Sequence, residues 1–226
     1  ATFYFFSANG TLLGSQSVGS NCFSSQTPEA LRYSAQAAAA RGVASSSTVT
    51  ADFNGDGSPD VAVSDGMGSV LVYLSQGGGL QLSATYPAGN APASLAAADV
   101  NGDGIQDLVV ANFGSSTISV LLGVHGGTFQ NAVNYPAGGH PVSLALGDVN
   151  SDGARDIVVG LCGATTCTGA SAKPGSVAVL AGKGDGTCAS ATVVKSGVFP
   201  LSLLLAELTG EGQLYIAVGD YAAGGF

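Results

Sequence analysis

An all-β chain built of tandem four-stranded antiparallel units is what this sequence predicts, and three observations predict it. Short runs rich in Val, Ile and Leu recur at regular spacing, each closed by a glycine-rich turn. The motif D-x-N-x-D-G-x-x-D occurs three times, at Asp52, Asp99 and Asp148, with starts 47 and 49 residues apart. Within these repeats glycine and β-branched residues interrupt every run that could otherwise carry a helical apolar period. Self-similarity at such a period marks a repeat architecture in which each copy is one supersecondary unit.

The elements follow from the N-terminus. Residues 1–20 open with Thr2-Phe-Tyr-Phe-Phe-Ser-Ala-Asn-Gly-Thr, which reads as a third strand, a turn at Asn9-Gly10 and the start of a fourth. Residues 21–46 form an insertion. Thr27 can cap a short helix there, with Pro28 and Glu29 in its first turn and Gly42 past its end. An elongated outer strand is the alternative. Residues 47–91 are the first full unit, 92–140 the second and 141–199 the third. Pro92-Ala-Ser-Leu-Ala-Ala-Ala and Pro141-Val-Ser-Leu-Ala-Leu-Gly lead into their loops as first strands. Val61-Ala-Val, Leu108-Val-Val and Ile157-Val-Val follow the loops as buried second strands. Ser69-Val-Leu-Val-Tyr-Leu, Thr117-Ile-Ser-Val-Leu-Leu and Ser176-Val-Ala-Val-Leu-Ala are third strands. Phe129-Gln-Asn-Ala-Val-Asn-Tyr135 exemplifies the fourth. Four short strands in a meander make a propeller-type blade.

Residues 200–226 supply half a unit. Pro200-Leu-Ser-Leu-Leu-Leu-Ala leads to Glu207, Thr209 and Glu211 at the loop positions, and Tyr215 stands where the other units carry their last Asp. This half and the N-terminal strands would together make one blade. Either the chain closes a small propeller on itself, or units stack tail to head in an open array, each chain completing the next.

In each loop the side chains at positions 1, 3 and 5 converge, position 7 can offer its carbonyl, and the Asp at position 9 closes the set. The candidate ligands are Asp52, Asn54, Asp56, Ser58 and Asp60; Asp99, Asn101, Asp103, Ile105 and Asp107; and Asp148, Asn150, Asp152, Ala154 and Asp156. An all-oxygen set in a flexible loop suits Ca²⁺, about three per chain. Asp-Gly pairs also mark ordinary turns, but three copies in register, each with the extra Asp, exceed what turns require. Nine of the chain's 15 acidic residues lie inside these loops. A net charge of −9 with six basic residues excludes a phosphate-neutralising surface, so nucleic acid is no partner.

No run is long and apolar enough to enter a membrane. The chain begins at Ala1 without a recognisable leader, which fits a processed mature protein or a trimmed chain. Four cysteines fit an oxidising compartment, and calcium loops of low affinity fit one outside the cell. Cys162 and Cys167 are close enough for a local bond, which leaves Cys22 for Cys188; four cysteines allow three pairings. Zinc is disfavoured, because there is no C-x-x-C pair and only two histidines.

At D-F-N-G-D-G-x-x-D followed by a Val-rich strand, residues 43–226 resemble the FG-GAP/VCBS repeat family, the calcium-loop repeats of integrin α-chain propellers and bacterial surface proteins. The resemblance implies propeller blades with Ca²⁺ bound between the first and second strands. It also carries over the Asp and Asn ligands at the matching positions. The family's Phe-Gly and Gly-Ala-Pro signature survives only as Asn112-Phe113-Gly114.

No enzyme is expected. His125 and His140 sit in or beside glycine-rich turns as solvated residues, there is no G-x-S-x-G elbow, and Gly182-Lys-Gly-Asp-Gly186 joins strands rather than opening a phosphate-binding helix. Asn9-Gly-Thr reads as a hairpin turn rather than a glycosylation signal. The expected function is an extracellular or cell-surface structural or adhesive protein, a fibre or appendage subunit joined by strand complementation. Its partners are copies of itself, head to tail, or another surface protein. The alternative is a closed propeller that binds protein or glycan; the lack of Trp argues against the lectin form, which leans on aromatic platforms.

Overall fold

The structure, a computed structural model, describes residues 2–6, 12–17, 47–165, 167, 173–208, 210 and 212–220. Every regular element among them is a strand. The first hairpin is β1 (Thr2–Phe6) with β2 (Leu12–Ser17). A four-stranded meander follows, from β3 (Ser47–Ala51) through β4 (Asp60–Ser64) and β5 (Ser69–Gln76) to β6 (Gly79–Pro87). The second sheet holds β7 (Pro92–Ala98), β8 (Asp107–Asn112) and β9 (Thr117–Leu121). The small hairpin β10 (Gly123–Val124) and β11 (Thr128–Phe129) interrupts it before β12 (Val133–Pro136) completes the sheet. The third contains β13 (His140–Gly147), β14 (Asp156–Cys162), β15 (Gly175–Leu180) and β16 (Thr192–Val198). Last come β17 (Pro200–Glu207) and β18 (Leu214–Asp220), a sheet of two.

The recurring Pro-x-Ser that opens a first strand has a direct structural result. Proline has no N–H for the ladder, and the register slips at once. Pro92 faces Asn112 and Ser94 faces Ala111; Pro200 faces Asp220 and Ser202 faces Gly219. Pro141 faces Leu161 and Ser143 faces Gly160. β7, β13 and β17 therefore each carry a bulge near their start, while β3, which has no such proline, does not. The first strands pack side by side in the order β3, β7, β13, β17. Contact of the same extent does not return from β17 to β3.

The second strands β4, β8 and β14 are buried along their whole length. Alternation explains how one strand serves two interfaces. Leu108 and Val110 join a core with Phe53, Val70, Val72 and Leu74 of the first sheet. Val109 and Ala111 point the other way, into a core with Ile157, Val159 and Leu161 of the third. Burial of each such Leu or Val stabilises the fold by about 1.5–3 kcal/mol.

Phe129 departs from the sequence expectation. The fourth strand of the second unit does not run from Phe129 to Tyr135. Phe129 belongs to β11, because its ring is drawn inward against Phe53 and Tyr86, with edge-on centroids 5.4 and 5.5 Å away. The strands expected to share the split blade lie in two hairpins. β1–β2 and β17–β18 are separate two-stranded sheets. The expected helix or outer strand across 27–42 lies outside the described residues, as does the Asn9 sequon.

Cys162, at the end of β14, bonds to Cys167 with Cα atoms 5.3 Å apart. The expected Cys22–Cys188 bond is not found: Cys188 carries a free thiol, and Cys22 lies outside the described residues. Burial pushes that thiol up to about 11, so it stays protonated at neutral pH.

The close approach of β14 to β17 supplies a test. A Cβ on Gly160 would lie 2.5 Å from the Pro200 carbonyl and 2.5 Å from Ser143 Oγ. Ser143 Oγ itself donates to that carbonyl at 3.0 Å. Gly160→Ala is expected to force the third unit and β17 apart, costing about 1–3 kcal/mol in denaturant unfolding. An unchanged midpoint would contradict this packing.

Candidate metal centre

Two left-handed residues shape each loop between first and second strand. Gly55 and Gly57 have φ of 77° and 84°, and Gly102 and Gly104 have 79° and 84°. The third loop uses Ser151 (φ 63°) and Gly153 (φ 88°), so a serine there adopts a conformation that favours glycine.

These turns aim backbone N–H groups at the first carboxylate. Asp52 Oδ1 accepts from Gly55 at 2.7 Å and Asp56 at 3.1 Å, and its Oδ2 accepts from Gly57 at 2.8 Å. Asn54 then holds position 5 from both sides. Its Oδ1 accepts from the Asp56 N–H, and its Nδ2 donates to Asp56 Oδ2, each at 2.9 Å. Asp56 Oδ1 accepts from the Ser58 N–H at 2.7 Å. Asp99, Asn101, Asp103 and Ile105 repeat the pattern, and so do Asp148, Asn150, Asp152 and Ala154. Ser58, Ile105 and Ala154 are thus held through their own N–H groups.

The Asp at position 9 does something the sequence reading did not assign. Asp60, Asp107 and Asp156 are fully buried at the start of their second strands. Asp60 Oδ2 accepts from the Phe53 N–H at 2.9 Å and Oδ1 from the Ser75 N–H at 2.8 Å. Asp107 takes the N–H groups of Val100 and Gly123 at 2.8 and 2.7 Å. Asp156 takes those of Val149 and Gly182 at 3.0 and 2.9 Å. Each carboxylate therefore bonds the loop to the end of the third strand. The glycine at that strand end was the available signal. A Cβ on Gly123 would meet the Gln106 carbonyl at 2.4 Å, and one on Gly182 would meet the Arg155 carbonyl more closely still.

The loop rims and bases differ electrostatically. Asn54 and the Ser58 N–H lower the Asp56 pKa, the Ile105 N–H and Asn101 lower that of Asp103, and the Gly153 N–H lowers that of Asp148. Burial raises that of Asp107 despite its two N–H donors, aided by repulsion from Asp103 and Asp99. For the lowered rim groups, the stabilisation from their hydrogen bonds is full above the ordinary carboxylate range. It fades as pH falls through their depressed folded values.

Among the described residues, no three acidic, histidine or cysteine side chains surround a point closely enough to hold a metal on their own. Both oxygens of Asp60, Asp107 and Asp156 accept N–H groups. Each carboxylate oxygen that accepts one N–H keeps a second lone pair, so these bonds are compatible with the ligand role expected of position 9. The donor chemistry fits a hard cation: a partly buried carboxylate at position 1, an exposed one at position 5, an amide oxygen at position 3, and no nitrogen or sulfur ligand. In the fourth unit Tyr215 pairs with Ala206 on β18 and is 37% exposed. Thr209 and Glu211 lie outside the described residues.

The two histidines part company. His125 is exposed on the β10–β11 turn, as expected. His140 is not a solvated turn residue. It begins β13, its Nδ1 lies 2.9 Å from the Phe113 carbonyl and 3.2 Å from Ser116 Oγ, and its ring packs on Phe113 at 5.0 Å. Asp65 is a further acid that the motif search passed over. Burial acts to raise its pKa, but the N–H groups of Ser69, Gly68 and Met67 outweigh that and lower it, as in an Asx turn.

Residues 52–110 and 99–159 each match the family model of the FG-GAP-like repeat. No curated protein matches the chain. Among solved structures, a crystal structure of BBS1N in complex with ARL6DN, soaked with mercury, is similar at a TM-score of 0.51 and 15% identity. That match covers 76% of this chain and 46% of that one. A crystal of the same complex soaked with lead gives 0.49 and 14%, covering 79% and 52%. The chain spans about half the length of these solved chains. At such identity the first match bears on fold alone, and it agrees with propeller-type blades.

Rim and base carboxylates should respond differently to substitution. In chelator, Asp60→Asn turns a donor toward a buried N–H and is expected to cost about 1–3 kcal/mol. Asp56→Asn, at the rim, is expected to stay within about 0.5 kcal/mol of the parent. Chemical unfolding of both variants without calcium checks this; equal losses would contradict the division of roles.

Proposed function

We propose, on the premise that residues 52–159 are built of FG-GAP-like repeats, that this chain is an extracellular, calcium-stabilised structural or adhesive protein, the subunit of a fibre or surface appendage joined by strand complementation. One observation carries the reading. The last unit is a two-stranded sheet, and the far edge of β18 has no strand beside it among the described residues. Leu201, Leu204 and Leu208 are exposed near this incomplete unit. Every complete unit has four strands. An uncovered edge with apolar neighbours is a template for another strand.

The loops supply the calcium part of the proposal. Each rim brings two carboxylates together, the one at position 5 exposed, so bound Ca²⁺ would relieve repulsion within each loop. Extracellular calcium modules bind with Kd on the order of 10⁻⁴–10⁻³ M, which suits a compartment rich in calcium. The Cys162–Cys167 bond supports an oxidising one. No described helix is long and apolar enough to cross a membrane. Catalysis is not part of the reading. The closed binding module remains the second reading; the ring-like sequence β3, β7, β13, β17 of packed first strands favours it.

Calorimetry and electron microscopy with and without calcium test the proposal. Calcium at about ten times Kd is expected to stabilise by about 1.4 kcal/mol per site, and filaments are expected in calcium. Identical melting curves would remove the calcium claim, and monodisperse particles of a single chain would remove the fibre claim.

A further inference from the structure

The β1–β2 hairpin carries the register of an outer blade hairpin. In the first complete unit, Ser69 faces Pro87, Val70 Tyr86, Leu71 Thr85 and Val72 Ala84; the register then slips and Tyr73 faces Leu82. In the N-terminal hairpin, Thr2 faces Ser17, Phe3 Gln16, Tyr4 Ser15 and Phe5 Gly14; the register then slips and Phe6 faces Leu12. Four pairs and then a one-residue slip on the returning strand occur in both. β17–β18 matches an inner pair just as closely, because its pairs and its bulge after Pro200 repeat those of β7–β8 after Pro92. One hairpin is an outer pair without its inner strands. The other is an inner pair without its outer strands.

Beside β18 lies an open groove of about 570 Å³. Asn150 and Ala181 sit at its loop end, with Val179, Val194, Leu214 and Ile216 among its apolar walls. In the complete units, this place beside the second strand is filled by the third strand and its turn. The outer turn of the second unit lies over the first, where a Cβ on Gly127 would meet Leu74 at 2.6 Å and Asn54 at 3.2 Å. The outer turn of the third lies over the second, where a Cβ on Gly186 would meet Leu122 at 2.6 Å. By the repeat, the positions of Leu74 and Asn54 on the third unit are Ala181 and Asn150. Both face the groove. In sequence, Gly10-Thr11 stands between β1 and β2 as Gly127-Thr128 and Gly186-Thr187 stand between the outer segments of the second and third units.

Resting on the structural reading above, we infer that this groove receives the β1–β2 hairpin of a second copy of the chain, with β1 added to the edge of β18. The register is specified by the first unit, where Val63 faces Leu71 and Ala62 faces Val72. Val218 then faces Tyr4, and Ala217 faces Phe5. The second copy is the occupant because, among the described residues, the chain's own β1 and β2 pair with each other and with no other strand. Residues 2–17 are uncharged and include the run Phe3-Tyr4-Phe5-Phe6, which suits an apolar groove. The third strands of the first and second units are buried along most of their length, whereas β15 of the third, which borders the open groove, is buried at half of its residues. A lone two-stranded sheet is marginal in water. Donation of this kind is heterologous and does not close, so it propagates as a filament. Because the hairpin turn lies over Asn150, calcium in the third loop would set the shape of the groove.

Cross-linking between chains tests the inference. In a Cys188→Ser background, a Phe5→Cys chain is mixed with an Ala217→Cys chain in calcium under mild oxidation. The expected result is an inter-chain disulfide in about tenfold excess over the pair Tyr4→Cys and Ala217→Cys, since a one-residue slip turns the side chain to the other face. Equal yields from the two pairs would overturn the register, and a Phe5→Cys, Ala217→Cys double variant that bonds only within itself would overturn the second copy. On the unaltered protein, the amides of β18 should exchange at least about tenfold more slowly in assembled than in dilute samples. Equal exchange rates would also overturn it. Filaments with neither disulfide nor protection would sink the hairpin inference and leave the structural reading standing; absence of any assembly would sink that reading as well.

Discussion

A carboxylate buried beneath each loop is the interaction on which the rest of the molecule depends. Asp60, Asp107 and Asp156 each accept one N–H from the start of the loop and one from the end of the third strand. Three separate stretches of backbone are thereby fixed to a single side chain. The loop cannot rise away from the sheet, and the third strand must end beneath it. Burying a carboxylate is unfavourable, as the raised pKa of Asp107 records, and the two N–H groups offset that cost. In the fourth unit both halves of the arrangement are missing. Tyr215 stands in place of the aspartate, and no described third strand lies beside β18 for it to hold.

From that anchor the interfaces between units follow. With its start fixed, the second strand alternates residues between the core on one side and the core on the other, as Leu108 and Val109 do. Small residues then allow close approach where the backbone of one unit meets the next. Gly160 lies against Pro200, and Gly127 against Leu74. The loop carboxylates at the rim are left over from this framework. They are partly or fully exposed and arranged around the same turn, where a cation could be added to the loop.

Much of this was legible in the residues. The period of the aspartate motif and the β-branched runs gave the four-stranded unit, because alternation and turn chemistry act locally. Pro-x-Ser also encoded the bulge near the start of β7, β13 and β17, although its meaning is plain only from the ladder. The role of position 9 was not legible. An aspartate in a calcium-loop motif reads as a ligand, and its bond to Ser75, Gly123 or Gly182 spans 15 to 26 residues. The inward turn of Phe129 depends on Phe53 and Tyr86 of another unit, and the packing of His140 depends on Phe113. Local pattern carries no information about such partners. Cysteine counting paired Cys188 by elimination, whereas its half-buried surroundings favour a protonated thiol.

Amide hydrogen exchange in chelator, resolved by residue, tests the central claim most directly. The N–H groups of Phe53, Val100 and Val149, and those of Ser75, Gly123 and Gly182, all point to the buried carboxylates. The account predicts that these amides exchange only through global unfolding, as slowly as the core of β8, even without a metal ion. Exchange at the rate of the exposed loop amides of Gly57, Gly104 and Gly153 would contradict it, and would mean that the loops are held by their rims alone.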